Sequence, residues 1–241
     1  MSQPRQHPAL EEFFRWEIQS KVEVVADIAT DEKAYFIPLE NVKSYFKADD
    51  SRKLSRIIAA VFDSDFPPVD PELILREHTA IFCILLSIGQ GTLIEEFASY
   101  EELSDRRLPF DPDHPPRELT EASDDPEFLQ LFCEKQRMYC VPIFDGHMLH
   151  KRFGRQRLLP ITYAEPRGSE GLAEKYVIKL YGPHNKLFPA GTEMVRFLLL
   201  YSFQGLTKEG EPTGQYICPQ KIPHERGRSS VQAGGQRLQG C

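Results

Sequence analysis

Apolar residues recur every three to four positions along much of the first 140 residues, which is the period of an amphipathic helix. The stripe that runs from Phe14 to Ala29 predicts one helix over residues 9–29. The same spacing predicts a short helix over residues 39–46, a longer one from Ser51 as N-cap to Phe62, and a short one after Thr92.

Asp70-Pro71 marks the start of a further helix. The carboxylate of Asp70 can accept hydrogen bonds from the first unpaired N–H groups, and proline is tolerated in the first helical turn. The segment that follows is apolar on almost all sides from Ala80 to Ile88, and Gly89 ends it. The pattern predicts one long helix that lies buried at the centre of the domain.

The pattern changes after residue 107. Residues 108–127 contain five prolines and seven acidic residues, which predicts a long surface loop before another helix over 127–140. β-rich runs at 158–163 and 176–181 predict a small β element, with a turn at Gly182-Pro183.

The predicted fold class is therefore mainly α. We expect a compact helical bundle over residues 9–157, a small β element near 158–182 within a segment that extends to 189, and a tail over 190–241. The tail is rich in Gly, Gln and Arg, has few apolar residues and is predicted to be disordered.

The composition is that of a globular protein in a reducing compartment. The 241 residues carry a net charge of −7, which argues against general affinity for nucleic acid or anionic lipid. The five cysteines are odd in number and scattered, which favours free thiols over a disulfide framework. The N-terminal segment lacks the apolar stretch of a secretory signal, and the longest apolar run, residues 79–88, is about half a membrane span. We therefore expect a cytoplasmic or nuclear protein with no membrane partner.

Neither a metal nor a cofactor is expected. Cys133, Cys140, His147 and His150 are the candidate zinc ligands, but the two cysteines lie on one predicted helix, about 10.5 Å apart along its axis. Two core cysteines and a surface histidine pair explain these residues better than one zinc site.

Nucleophilic and phosphate-loop chemistry is also disfavoured. Cys83 lies in the most apolar stretch, IFCILL, and has no close base, so a structural role is the better interpretation. Gly89-Gln90-Gly91 lacks the preceding strand and the lysine of a phosphate-binding loop, so a helix end followed by a turn explains both glycines.

The run HKRFGRQR is the one concentrated basic patch and contains Lys151, Arg152, Arg155 and Arg157. It is a candidate site for a phosphorylated or acidic partner. The acidic loop at 111–127 of the same chain is an alternative partner, and a solvated patch is another; we favour these two.

Ser55 is a candidate phosphorylation site because it follows Arg52-Lys53-Leu54, a basophilic pattern. The alternative is an exposed position near a helix N-terminus, where a phosphate would be tolerated or mildly favoured by the helix dipole.

Five segments together resemble a known group of proteins: RKLSRIIAAVFD, VDPELILREHTAIFCILLSIG, LSDRRLPFDP, FCEKQRMYCVPIFDGHMLHKRFGRQRLLPI and KYVIKLYGPHNKLFP. They are similar to the N-terminal region of fungal serine/threonine-protein-kinase-like proteins, over roughly residues 9–189 of this chain. The resemblance implies a helical region that precedes a kinase-like domain, with the last segment leading into the first strands of the kinase fold. Kinase chemistry also needs a phosphate-binding lysine, a catalytic-loop Asp with its Asn, and a magnesium-binding Asp. No segment after Leu187 matches these motifs, so we assign no catalytic residue.

The functional hypothesis is a non-catalytic accessory or protein-interaction domain whose partner is a protein or a kinase-like domain. One alternative is a member of a serine/threonine kinase family whose ATP-dependent catalytic domain is missing here. Another is a phospho- or acid-binding module that uses the basic patch at 151–157. The abrupt change of pattern near Val195 adds the hypothesis that the residues after it are translated intron or a shifted reading frame, which transcript sequencing tests.

Overall fold

The computed structural model describes residues 7–28, 30–50, 52–145, 147, 152–153, 157–170, 173–187, 196–200, 215–216 and 218–220. Eight α-helices lie within these residues: α1 (Pro8–Gln19), α2 (Leu39–Lys47), α3 (Arg52–Phe62), α4 (Pro71–Glu77), α5 (Thr79–Ser87), α6 (Ile94–Phe97), α7 (Arg117–Glu121) and α8 (Phe128–Tyr139). The predicted helices at 39–46, 52–62 and 127–140 are confirmed as α2, α3 and α8, whereas Ser51, the proposed N-cap of α3, lies outside the described residues.

The N-terminal apolar stripe forms a helix and a hairpin. α1 ends at Gln19, and the chain then forms β1 (Val22–Asp27), which pairs antiparallel with β2 (Glu32–Phe36). The prediction of one helix over 9–29 is therefore wrong beyond residue 19. The run VEVVAD is rich in β-branched valine, which favours a strand, and the hairpin buries both Val24 and Val25.

The predicted central helix has the expected ends. The N–H group of Glu72 donates to the Asp70 carboxylate at 3.0 Å, so the predicted N-cap is confirmed. Gly89 ends α5 with a φ of +76°, a left-handed conformation in which glycine has no steric penalty. The amide of Gln90 donates to the carbonyl of Leu85 at 2.8 Å, which satisfies one of the last helical carbonyls.

This segment is nevertheless two helices. His78, with φ −134° and ψ 24°, interrupts it between α4 and α5. The amides of Ala80 and Ile81 donate to the two carboxylate oxygens of Asp105, both at 3.0 Å. Asp105 thus replaces the helical carbonyls that these amides would meet in an unbroken helix.

The main core surrounds α5, whose residues from Thr79 to Leu86 are all buried. Phe13 of α1, Phe46 of α2 and Phe132 of α8 are buried in the same cluster. The predicted central position of this helix is confirmed.

The predicted surface loop at 108–127 is tied to this core. The side-chain amide of Gln136 donates to the carbonyl of Phe110 at 2.8 Å and its oxygen accepts from the Phe110 amide at the same distance. Phe110 and Leu119, which lies in α7, are buried. Most of the loop is exposed, but Phe110 is held to α8 and Leu119 is buried in the core.

The remaining strands belong to two sheets. The larger one has the antiparallel order β4 (Ile161–Glu170), β5 (Ala173–Leu180), β6 (Arg196–Leu200), β8 (Cys218–Gln220), and the smaller one pairs β3 (Arg152–Phe153) with β7 (Gln215–Tyr216). The small β element is confirmed. The prediction of a mainly α bundle is confirmed only in part, because the eight helices are joined by the β1–β2 hairpin and the sheets, and the described residues form a mixed α/β fold. In the predicted disordered tail the structure describes β6, β7 and β8; the other residues of 190–241 lie outside the described ones.

A second core joins the N-terminal hairpin to the β element. Val25 lies in one buried cluster with Phe144, Ile161 and Ile178. Phe36 packs edge-on against the ring of Tyr181 with centroids 5.5 Å apart. These contacts cross the boundary predicted at residues 157/158, because the hairpin comes from the helical part of the chain and packs on β4 and β5.

Candidate functional site

The described cysteines have the properties of core residues. Burial raises the pKa of Cys83 well above that of an exposed thiol and raises the pKa of Cys140 to about 12. Burial also raises the pKa of Cys133, which is half-buried on α8. A thiol with a raised pKa stays protonated at neutral pH, whereas nucleophiles and zinc ligands are thiolates. The structural interpretation of Cys83 is supported by its complete burial.

The candidate zinc ligands are only partly described. Cys133 lies inside α8, Cys140 caps its C-terminal end, and His147 is exposed. His150 lies outside the described residues. Among the residues that the structure describes, no group of three or more His, Cys, Asp or Glu is arranged to hold a metal ion.

The basic patch is also described in part. Lys151 and Arg155 lie outside the described residues, and Arg152 belongs to β3. The guanidinium of Arg157 lies over the Phe153 ring, 5.9 Å from its centroid, and burial lowers the pKa of Arg157. The Nε of Arg157 is buried without a hydrogen-bond partner among the described residues, and a half-buried guanidinium on an aromatic ring is a poor member of a surface clamp.

Ser55 is exposed on the first turns of α3 and lines a surface depression with three aspartates, Asp49, Asp50 and Asp65. Arg52 and Arg56 line the same depression, and the guanidinium of Arg56 already pairs with Asp49 at 3.2 Å. A phosphate on Ser55 would therefore face three carboxylates and two guanidinium groups, a lining of net negative charge that opposes the favourable helix dipole.

A buried polar cluster that the sequence did not reveal links three helices. The carboxyl of Glu17 (α1) accepts hydrogen bonds from the hydroxyls of Tyr139 (α8) at 2.5 Å and Ser87 (α5) at 2.9 Å. Glu17 is 8% exposed and Tyr139 is 5% exposed, so the cluster is closed to bulk solvent. Its closed position and mutual hydrogen bonds favour a structural role.

A pocket of about 550 Å³ opens beside the break between α4 and α5. Glu77 and His78 form part of its wall, and residues between Ala98 and Arg107 form the rest. His78 is 2% exposed, and neither of its ring nitrogens makes a hydrogen bond with another described residue. The carbonyls of Leu73 and Phe97 lie near enough to raise the pKa in part, but burial is the larger effect and lowers the pKa of His78. At neutral pH the ring is therefore neutral, with one N–H to donate.

Two arginines line the same pocket. Arg106 and Arg107 are exposed, and neither forms an ion pair or side-chain hydrogen bond with any other residue that the structure describes. The carboxylate of Glu77 also lines the pocket, but it pairs with Arg76 at 2.8 Å. The basic groups of the pocket are thus not neutralised by ion pairs.

Among the described residues, Phe66 is the most exposed of the large apolar side chains, at 92%. It lies in the turn between α3 and α4, directly before Pro67-Pro68. Asp63 and Asp65 precede it, and Asp63 has a φ of 49°, so the backbone changes direction just before the ring.

Comparison of the chain with protein-family models, with curated proteins and with solved structures finds no match. Within the described part of the chain, no helix has the length and apolar character needed to span a bilayer.

Proposed function

We propose that the chain is a non-catalytic accessory or protein-interaction domain of a kinase-like protein. The observation that carries this proposal is the exposed ring of Phe66. Pro67 and Pro68 restrict the backbone beside it, so little conformational entropy remains to be lost when a partner binds the ring. Rigid aromatic side chains of this kind commonly anchor protein interfaces.

The charge around Phe66 defines the complementary surface. Asp63 and Asp65 lie on one side of the ring in sequence, and Asp70 follows the prolines. The matching partner surface is an apolar pocket with a basic rim, because opposite charges at the rim steer and orient association.

The link to a kinase-like protein rests on the resemblance of the five segments. KYVIKL, which belongs to the segment that the resemblance assigns to the lead-in to a kinase fold, is part of β5. The raised thiol pKa values of Cys83, Cys133 and Cys140 support a role that involves no cysteine nucleophile.

The proposal is tested by site-specific cross-linking. A photoreactive phenylalanine analogue at position 66 should capture a protein that carries a kinase-like domain from an extract of the source organism. The same analogue at Tyr163, an aromatic residue that is 48% exposed on β4, is the matched control and should not capture it. Equal capture from both positions, or none from position 66, contradicts the proposal.

A second measurement separates this function from the kinase alternative. A ligand that binds the folded state raises the thermal unfolding midpoint. Since the proposed function includes no ATP site, addition of ATP with magnesium should leave the midpoint unchanged. A saturable rise accompanied by phosphate transfer to a protein substrate would replace the proposal with an enzymatic one.

A further inference from the structure

Residues 66–68 form a Phe-Pro-Pro segment that is held at both ends. On its N-terminal side, the amide of Ser64 donates to the carbonyl of Ala59 at 3.1 Å, and the amide of Phe66 donates to the Ser64 hydroxyl at the same distance. On its C-terminal side, Val69 is 5% exposed and packs in the main core. The segment is therefore pre-organised, which lowers the conformational entropy that is lost when a partner binds it.

The composition of the segment favours an extended backbone that offers hydrogen-bond acceptors only. Phe66 and Pro67 each precede a proline, which disfavours the helical region for both residues. Each proline fixes φ at about −65°, close to the value in a polyproline II helix. Neither Pro67 nor Pro68 has an N–H group, and the amide of Phe66 is already bonded to Ser64. The segment therefore has no free backbone donor.

The backbone carbonyls of the segment are open to a partner. Among the described residues, none donates a hydrogen bond to the carbonyl of Phe66, Pro67 or Pro68. The second Pro-Pro pair of the chain, at 115–116, differs in this respect. The carbonyl of Pro116 accepts from two amides of the first turn of α7, at 3.1 and 3.3 Å. An exposed aromatic ring, two prolines and free carbonyls thus occur together at residues 66–68.

We propose that residues 66–68 bind a partner domain of the class that recognises proline-rich segments. The groove of such a domain is lined by aromatic side chains, which would contact Pro67 and Pro68, while N–H and O–H groups of the groove donate to the free carbonyls. The ring of Phe66 enters an apolar pocket beside that groove. This inference rests on the proposed function, in which Phe66 is an anchor, and it names the class of surface that receives the ring.

The charge beside the segment fits a groove with a basic rim. Asp63, Asp65 and Asp70 are all exposed. The depression that Asp65 lines contains three aspartates against two arginines, so negative charge predominates there as well. Basic residues at the rim of the groove would steer and orient association with this surface.

The accessible part of the segment is short. Pro68 and Pro71 have the PxxP spacing of many proline-rich ligands, but Val69 between them is buried and Pro71 lies in the first turn of α4. The chain also bends at Phe66 and at Pro68. The partner therefore contacts residues 66–68 and not the whole PxxP run.

The test is calorimetric titration of the full chain with purified domains of three proline-binding classes, SH3, WW and EVH1 domains. We expect saturable binding of a domain from at least one class. Against that domain, Phe66→Ala should weaken the affinity about tenfold, because an anchoring aromatic side chain is lost. Pro67→Ala/Pro68→Ala should weaken it about fivefold, because both rings that contact the groove are removed.

Pro115→Ala/Pro116→Ala is the matched control. It removes two prolines from a pair whose carbonyl is already bonded within the chain, so the affinity should change less than about twofold. The thermal midpoint of each variant shows whether it folds. If the double variant at 67 and 68 does not fold, Pro68→Ala, at an exposed ring, takes its place.

Loss of affinity in Phe66→Ala and in Pro67→Ala/Pro68→Ala, with the control unaffected, supports the inference. Wild-type affinity in either variant overturns it, and where only the proline variant keeps its affinity, the anchoring role of Phe66 stands. Absence of saturable binding by all three classes also overturns it, while cross-linking at position 66 still tests the proposed function by itself. An equal loss in the 115–116 control overturns it too, because the effect would then not be specific to residues 66–68.

Discussion

At the scale of single residues, sequence patterns reveal which polar side chains are buried in the core but not which partners they meet. Glu17 follows Phe13 by four positions and therefore lies on the same buried stripe of α1. That spacing is the only signal of its burial in the sequence. Its partners, Tyr139 and Ser87, come from helices far along the chain, so their meeting depends on how the helices pack.

Removal of one hydroxyl tests this cluster. Tyr139→Phe takes a donor from the buried Glu17 carboxyl and should lower the free energy of unfolding by about 1.5–3 kcal/mol in urea denaturation. Tyr35→Phe is the matched control, because the Tyr35 hydroxyl donates to Glu23 at 3.3 Å on the surface. It should cost less than about 0.5 kcal/mol. Equal losses of unfolding free energy in the two variants would contradict a larger contribution from the buried cluster.

The sequence predicts that Gly89 ends the central helix, and its conformational role there can be tested. Nothing lies within 4 Å of a Cβ built at Gly89, so the cost of Gly89→Ala comes from its φ of +76° alone. The substitution should lower the free energy of unfolding by about 1–2 kcal/mol. Gly182, equally open but without a positive φ, should tolerate alanine or gain up to about 1 kcal/mol. Chemical denaturation of both variants measures the difference, and equal costs would exclude the conformational explanation.

At the scale of elements, most helices could be predicted and their interruptions could not. α2, α3 and α8 follow from spacing alone, because each buries one apolar stripe in the main core. The break at His78 depends on Asp105, which follows Ala80 by 25 positions, so no local pattern reveals it. β1 was missed because Val22 and Val25 fit a helical stripe as well as a strand.

The contact of Asp105 with α5 has a defined pH dependence. Burial raises the pKa of Asp105 to about 6 even though the amides of Ala80 and Ile81 oppose the rise. Since the folded-state pKa exceeds the ordinary value near 3.8, the stabilisation by this group is complete below about pH 4 and is lost as the pH rises through about 6.

Asp105→Asn removes this titration while keeping an oxygen acceptor for one of the two α5 amides. The stability of the wild-type chain relative to the variant should fall between pH 4 and pH 7, by an amount of the order of 1–3 kcal/mol. Denaturation curves at several pH values measure it. Parallel pH profiles for the two chains would contradict the raised pKa.

At the scale of the whole molecule, the contact between hairpin and sheet decides how the chain is organised. The sequence predicts a helical domain and a separate β element, because no local pattern shows that residues 22–36 pack on residues 161–180. The predicted boundary reflects the change of pattern along the chain, whereas the second core contains residues from both sides of that boundary.

Phe36→Ala tests this organisation. Phe36 is fully buried against Tyr181 and His184, so its truncation should cost about 3–5 kcal/mol. Hydrogen exchange should quicken in β1, β2 and β5 together. Phe66→Ala, at an exposed ring, should change stability by less than about 0.5 kcal/mol. Unchanged protection of β5 in the Phe36 variant would indicate two independent units.

The central claim, that Phe66 anchors a partner that carries a kinase-like domain, is tested most directly by the affinity of the purified pair. Phe66→Ala should weaken binding at least tenfold, or about 1.4 kcal/mol, while Tyr163→Ala leaves it within twofold. Equal affinity of wild type and Phe66→Ala for the captured partner would contradict the account.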